Sequence, residues 1–402
     1  MVLDLDIIRE LPKSDLHVHL DGSLRLSTLI ELAKRGNLSL PSFTEEGLRE
    51  LVFKDRYESL AEYLKGFEYT VAVLQSAENL ERVAYELMED NIREGVRYVE
   101  VRFAPQLHIN DHLQLEDVLK AVNEGLKKAC DEYNLNLPPH EPEYRYGIIV
   151  CAMRKFESFF SSYYHKFFSV HKYSNKKEIY SMASLELAKG SVKIRDDYGI
   201  PIVGFDLAGD EVGNPAMDHR QAFDFVHRNF MKKTVHAGEA FGPESIFQAI
   251  SELHADRIGH GYYLFDVDAI TDGRIENKEK FVKELIQYIA DSRITIEVCL
   301  TSNMQTNPSI GRLDNHNFRK MLENKLSVAI CTDNRLVSNT TVSRELQLAI
   351  ENFNIDFKTL KDILIYGFKR SFFPCEYRLK RKYVRKVINL IEKIGKRRGI
   401  IS

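Results

Sequence analysis

The segment SDLHVHLDGS carries His17 and His19 two residues apart, with Asp15 before them and Asp21 just after. In a β-strand alternate side chains share a face, so Asp15, His17 and His19 point the same way. Two imidazoles on one face can grip one metal ion. Alone, an H-x-H pair is weak evidence, because structural histidines are common. Three other apolar runs end in the same kind of chemistry: His236-Ala237-Gly238-Glu239, Gly259-His260-Gly261 and Thr332-Asp333-Asn334. Buried His and Asp side chains are costly unless paired or metal-bound, so four such endings read as one constellation. Imidazoles and a carboxylate, with no thiolate among them, suit zinc and also tolerate iron, cobalt or manganese. A metal with an open position brings the pKa of a bound water towards ~7 and makes hydroxide available near neutral pH. Glu239, three residues beyond His236, is a natural proton donor and acceptor beside such a metal.

These groups need a scaffold that brings strand ends together. Short β-branched runs predict strands at 14–20, 96–104, 145–153, 201–208, 232–237, 256–260, 293–300 and 327–333. Helical patterns alternate with them, among them 80–95, closed by Gly95, and 280–292. That alternation predicts a parallel sheet, and eight strands with helices between them predict an α/β fold of the (β/α)8 TIM-barrel class with helical insertions. Barrel enzymes place catalytic groups at the C-terminal ends of their strands, where these motifs fall. A doubly wound sheet is the alternative, but it would prefer a Gly-rich turn after the first strand, and none is present.

A single barrel domain over 1–402 is expected, carrying more than a minimal barrel needs. Residues 26–79 form a largely helical insertion over the C-terminal face, either a lid or an ordinary packed layer. Residues 106–140 form a polar, partly helical connection. Residues 156–175 are dense in Phe and Tyr, which fits either a self-association surface joining identical chains or a helix with an aromatic packing face. Residues 378–398 carry ten Lys or Arg and one acid. There Val384, Val387, Ile388, Ile391 and Ile394 recur at helical spacing, which favours a terminal helix packed on one face over a nucleic-acid or lipid patch. A net charge of −3 gives no global pull towards nucleic acid or membrane, so neither partner is expected. No apolar run approaches the ~20 residues that span a bilayer. Cys130, Cys151, Cys299, Cys331 and Cys375 are scattered and odd in number, unlike a disulfide framework, and no signal peptide is apparent at the start. A cytoplasmic location is expected.

HVHLDGSLR, GFDLAGDE, VHAGE, RIGHGY and TDN together resemble the adenosine deaminase family, in the same order and at comparable spacing, from about residue 10 to 350. The H-x-E and P-C-x-x-C motifs of the Cys-ligated deaminases are absent. The resemblance implies one zinc held by His17, His19, His236 and Asp333. Glu239 would protonate purine N1 and make C6 electrophilic. His260, helped by Asp333, would orient or deprotonate the attacking water, and ammonia would leave. The Gly209 backbone N–H would face purine N3, and Asp21 would accept from a ribose hydroxyl. Many members carry two aspartates in succession at the last motif, whereas here the second position is Asn334. Its neutral amide can donate to purine N7 directly, and the departure bears on substrate range and pH profile.

The substrate implied is adenosine or 2′-deoxyadenosine. Adenine-specific relatives tend to carry Glu where this chain has Asp21. Free adenine, N6-substituted adenine compounds and aminodeoxyfutalosine are the alternatives within the same chemistry. An inactive binding protein would have lost a ligand or Glu239, and a phosphotriesterase-like hydrolase would want a bridging lysine that the run FDLAGD lacks. His108, His112, His140, His165, His171, His219, His227, His254 and His316 fall outside the motifs and are expected at the surface or in helices. Glu100 and Arg102 are expected to support the barrel interior, and Asp206, Asp210 and Glu211 the fourth-strand turn. Ser302 and Asn303 are either pocket-lining or structural.

Overall fold

The computed structural model describes residues 3–401. Eight parallel strands make up the sheet: β1 (Lys13–His19), β2 (Val96–Phe103), β3 (Arg145–Met153), β4 (Ile202–Ala208), β5 (Lys232–Ala237), β6 (Arg257–His260), β7 (Thr295–Val298) and β8 (Ser327–Ile330). They pair in sequence order, β1 to β8. The seam between the last and first strands is closed just past β8, where Asp333 N–H donates to the His17 carbonyl and His19 N–H to the Asp333 carbonyl, both at 2.7 Å. Helices flank the strands, so this is the expected (β/α)8 barrel. Most strand positions are buried, and runs such as Ile148–Ala152 pack apolar side chains on both faces.

Helix boundaries follow local chemistry. Helix Ala77–Arg93 starts at Ser76, whose hydroxyl accepts from Asn79 N–H, and stops at Gly95, whose φ of +85° suits glycine. Helix Lys278–Ser292 starts at Asn277 in the same way. The 26–79 insertion is helical and lies against the segment that follows β8. Tyr57 and Arg49 donate to the Val337 and Leu336 carbonyls, and the Tyr63 hydroxyl meets Ser338 Oγ at 2.8 Å. Within 106–140 the main element is helix Leu115–Asn134.

The aromatic stretch 156–175 is half inward. Phe156 stacks on Tyr164 and meets Tyr180 edge-on, in a small apolar cluster with Leu107 and Ile179. Phe159, Val170 and Tyr173 remain exposed. The terminal helix Tyr377–Arg397 buries Val384, Val387, Ile391 and Ile394 and leaves Arg381 and Arg385 in solvent. Among the described residues no helix is long and apolar enough to cross a membrane.

Candidate active site

Beneath the strand ends lies a buried charged layer. Glu297 on β7 accepts from Arg102 (2.8 Å), Arg257 (2.6 Å) and Thr234 (2.9 Å), and its carboxylate faces His17 Nδ1 at 2.9 Å. Burial opposes that charge, but Arg102 and Arg257 hold Glu297 well below the usual carboxylate range. Arg102 also donates to Asp206 at 2.9 Å, and Asp206 faces His236 Nδ1 at 3.0 Å. Each of these histidines therefore gives its Nδ1 proton to a carboxylate and turns the lone pair of Nε2 upward, the orientation that metal-binding histidines take from such partners. Glu100 and Arg102 support the interior as expected. Asp206 does more than hold a turn, because it orients His236.

Ligand atoms of His17, His236, His260 and Asp333 all lie within 4.8 Å of one another. His19 joins them, with its Nε2 3.2 Å from His236 Nε2 and 3.4 Å from Asp333 Oδ1. His17 Nε2 is buried with no hydrogen-bond partner among the described residues and stands 3.4 Å from Asp333 Oδ1. Bare imidazole nitrogens facing each other and a carboxylate at these distances repel unless a cation lies between them, so the donor set fits a metal ion. Ser302 completes the group by donating to Asp333 Oδ2 at 2.7 Å. His260 and Asp333 hold φ values of +65° and +61°, the left-handed region that costs a side-chain-bearing residue about 1 kcal/mol. Such strain concentrates at functional sites.

Glu239 stands at the edge of this cluster, its Oε1 3.7 Å from His260 Nε2. Burial pushes its carboxyl up to about 8, and the nearby Asp333 charge adds to the shift, so it carries a proton near neutral pH. Its loop is held by Glu211, whose carboxylate accepts from the backbone N–H groups of Gly238 (2.8 Å), Glu239 (3.0 Å), Ala240 (2.8 Å) and Phe241 (3.1 Å), and from the Ser245 hydroxyl. Glu211 thus anchors the fifth-strand turn, not the fourth as expected from sequence.

At the mouth, Asp21 is buried, one carboxyl oxygen has no partner among the described residues, and burial raises it to about 7. Gly209 follows β4 at a φ of +98°, which only glycine tolerates readily. Asn334 Nδ2 donates to the Tyr63 hydroxyl at 2.8 Å, and its buried Oδ1 has no partner among the described residues. A Cβ on Gly22 would lie 1.9 Å from that Oδ1, so the backbone of the HLDG turn comes this close only because residue 22 is glycine.

Three histidines set aside on sequence turn out to be buried. His108 Nδ1 meets the Leu74 carbonyl, His219 meets Ser184, and His316 lies behind Asn303. His112, His140, His165, His227 and His254 are exposed, and His171 is half-buried. Tyr63 was missed as well, because nothing in the aromatic run of the insertion marks which tyrosine reaches the site.

An adenosine deaminase family model matches residues 12–389. The chain is 36% identical to an adenosine deaminase of Mycobacterium avium, over 94% of each chain. It is 34% identical to a probable adenosine deaminase of Dictyostelium discoideum and spans 45% of that longer protein. In fold it is similar to the adenine deaminase of Arthrobacter aurescens (TM-score 0.73, 20% identity, covering 95% of this chain and 99% of the other). It is also similar to the Arabidopsis N6-mAMP deaminase (TM-score 0.72, 24% identity, covering 96% and 99%).

Proposed function

Since the chain belongs to the adenosine deaminase family, we propose that it hydrolyses adenosine and 2′-deoxyadenosine to inosine or deoxyinosine and ammonia. His17, His19, His236 and Asp333 are the residues that would hold one zinc ion. When bound, zinc is a Lewis acid that makes hydroxide available from water near neutral pH.

This chain's own groups handle the purine. Displacing ammonia from C6 requires the ring to lose aromaticity, so N1 must take up a proton as C6 gains oxygen. Glu239 is buried and protonated near neutral pH, which equips it to donate to N1. His260 faces the oxygen that adds to C6. In this reading the Gly209 N–H donates to purine N3, and the Asn334 amide retains one hydrogen for N7 after donating to Tyr63.

Asp21 carries the choice of a nucleoside. A buried carboxyl with a partnerless oxygen needs a donor, and a ribose hydroxyl at the mouth supplies one. Asp21→Ala is expected to lower kcat/KM for adenosine by about 10- to 100-fold, the range for one hydrogen bond to a charged group, and to leave adenine turnover within about threefold. Equal losses on both substrates would refute the assignment of Asp21 to the sugar. Faster wild-type turnover of adenine or of N6-methyl-AMP than of adenosine would refute the choice of nucleoside.

A further inference from the structure

Asn303 and His316 are buried beside the site and have no role in the reaction just derived. They join a backbone donor to His260. The Phe318 N–H donates to His316 Nδ1 at 3.0 Å. A backbone N–H can only donate, so Nδ1 is an acceptor, and the single proton of a neutral ring lies on Nε2. Burial pushes His316 down to about 3, so the ring is neutral at working pH. His316 Nε2 then donates to Asn303 Oδ1 at 3.1 Å, which fixes which end of that amide is oxygen. The other end, Asn303 Nδ2, donates to His260 Nδ1 at 3.2 Å. His260 therefore spends its Nδ1 lone pair as an acceptor and keeps its proton on Nε2. That nitrogen is buried without a partner among the described residues and lies with the ligand atoms of His17, His236 and Asp333.

We propose that Asn303 and His316 are positioning residues that lock His260 in its Nε2–H tautomer. Locked in this way, the ring has no lone pair to offer a cation. His260 stays out of the ligand set although its nitrogen stands among the ligand atoms, which leaves the fourth position to His19. Its Nε2–H is a fixed donor for the oxygen that adds to C6, and the ring does not act as the base that removes a proton from water. The donor's catalytic use rests on the deamination proposed above, whereas the tautomer itself does not.

The test uses the zinc-loaded full chain labelled with 15N-histidine. Long-range 1H–15N correlation spectra distinguish the two tautomers of each ring, and His260 and His316 are assigned from single variants. Both rings are expected to be neutral with the proton on Nε2. In N303D, whose carboxylate can only accept, the His260 proton is expected to move to Nδ1. A wild-type His260 protonated on Nδ1, or a proton that stays on Nε2 in N303D, overturns the proposal. Kinetics at equal zinc content form the second arm. N303D and H316L are expected to lower kcat for adenosine about tenfold or more with KM changed less than about threefold. H316Q, which returns an N–H donor towards Asn303, is expected to recover most of that loss. Equal losses in H316Q and H316L would overturn the relay. If the wild-type protein deaminates no adenine compound, the functional reading fails, while the spectra still decide the tautomer.

Discussion

Glu211 offers a sharp test of how the acid is held. Its carboxylate, 4% exposed, is the common acceptor for the N–H groups of residues 238 to 241 and for the Ser245 hydroxyl. Glu211→Ala strands these donors. The amides of Ala240 and Phe241 are only partly buried and can turn to water, but those of Gly238 and Glu239 are buried with the carboxylate. An orphaned buried donor costs about 1–3 kcal/mol, so two cost about 2–6 kcal/mol. Relief of the buried Glu211 charge offsets part of this, leaving a net loss of about 3 kcal/mol. The turn that carries Glu239 loosens as well, and a misplacement of about 1 Å at a catalytic group costs on the order of 100-fold in rate. Urea unfolding followed by circular dichroism reads the first effect, and kcat for adenosine reads the second. Glu211→Gln keeps one oxygen acceptor and should fall between wild type and alanine. Stability within about 0.5 kcal/mol of wild type, together with kcat within about twofold, would refute the anchoring role.

Glu239→Gln keeps shape and burial but has no acidic proton to transfer, so it should retain metal and fold while kcat falls about 100- to 10,000-fold; wild-type turnover would remove Glu239 from the chemistry. Glu345 gives a pH prediction away from the metal. Burial raises its carboxyl from 4.5 to about 7 although Thr301 and Thr340 donate to it. A raised folded-state pKa contributes stability that is full below about pH 4.5 and is lost as pH rises through about 7. Wild type should therefore lose up to about 3 kcal/mol across that window relative to Glu345→Gln, and parallel stability–pH curves for the two proteins would contradict this.

The barrel and its site were legible in sequence to different depths. Strands at 145–153 and 232–237 match residue for residue; the first is a buried parallel strand whose run Ile148–Met153 is unbroken and apolar, and the second is a short β-branched segment bounded by polar and glycine-containing turns. At 293–300 and 327–333 the strands are shorter than expected, Thr295–Val298 and Ser327–Ile330. At 293–300 the apolar run continues past the ladder into the helix that begins at Leu300, and at 327–333 into the turn that presents Asp333, and hydropathy cannot separate strand from the buried segment that follows it. His17, His19, His236, His260, Glu239 and Asp333 come together as expected, since each lies near or just past the C-terminal end of a strand of the same barrel. What supports them was less visible. Glu211 reaches across to a neighbouring strand end, Glu297 serves four partners from four other strands, and Tyr63 arrives from an insertion. Those contacts depend on tertiary approach, and local spacing carries no trace of them. His316 shows the limit well: a histidine outside every motif is read as peripheral until burial and its directed hydrogen bonds are known.

Ammonia release from adenosine by the purified, zinc-loaded chain decides whether this barrel deaminates a nucleoside. One ammonia per inosine formed is expected, at a kcat of about 1–1,000 per second, lost on chelation and restored by zinc. A chain that binds one zinc ion at His17, His19, His236 and Asp333 and yet releases no ammonia from adenosine would contradict the proposed deamination.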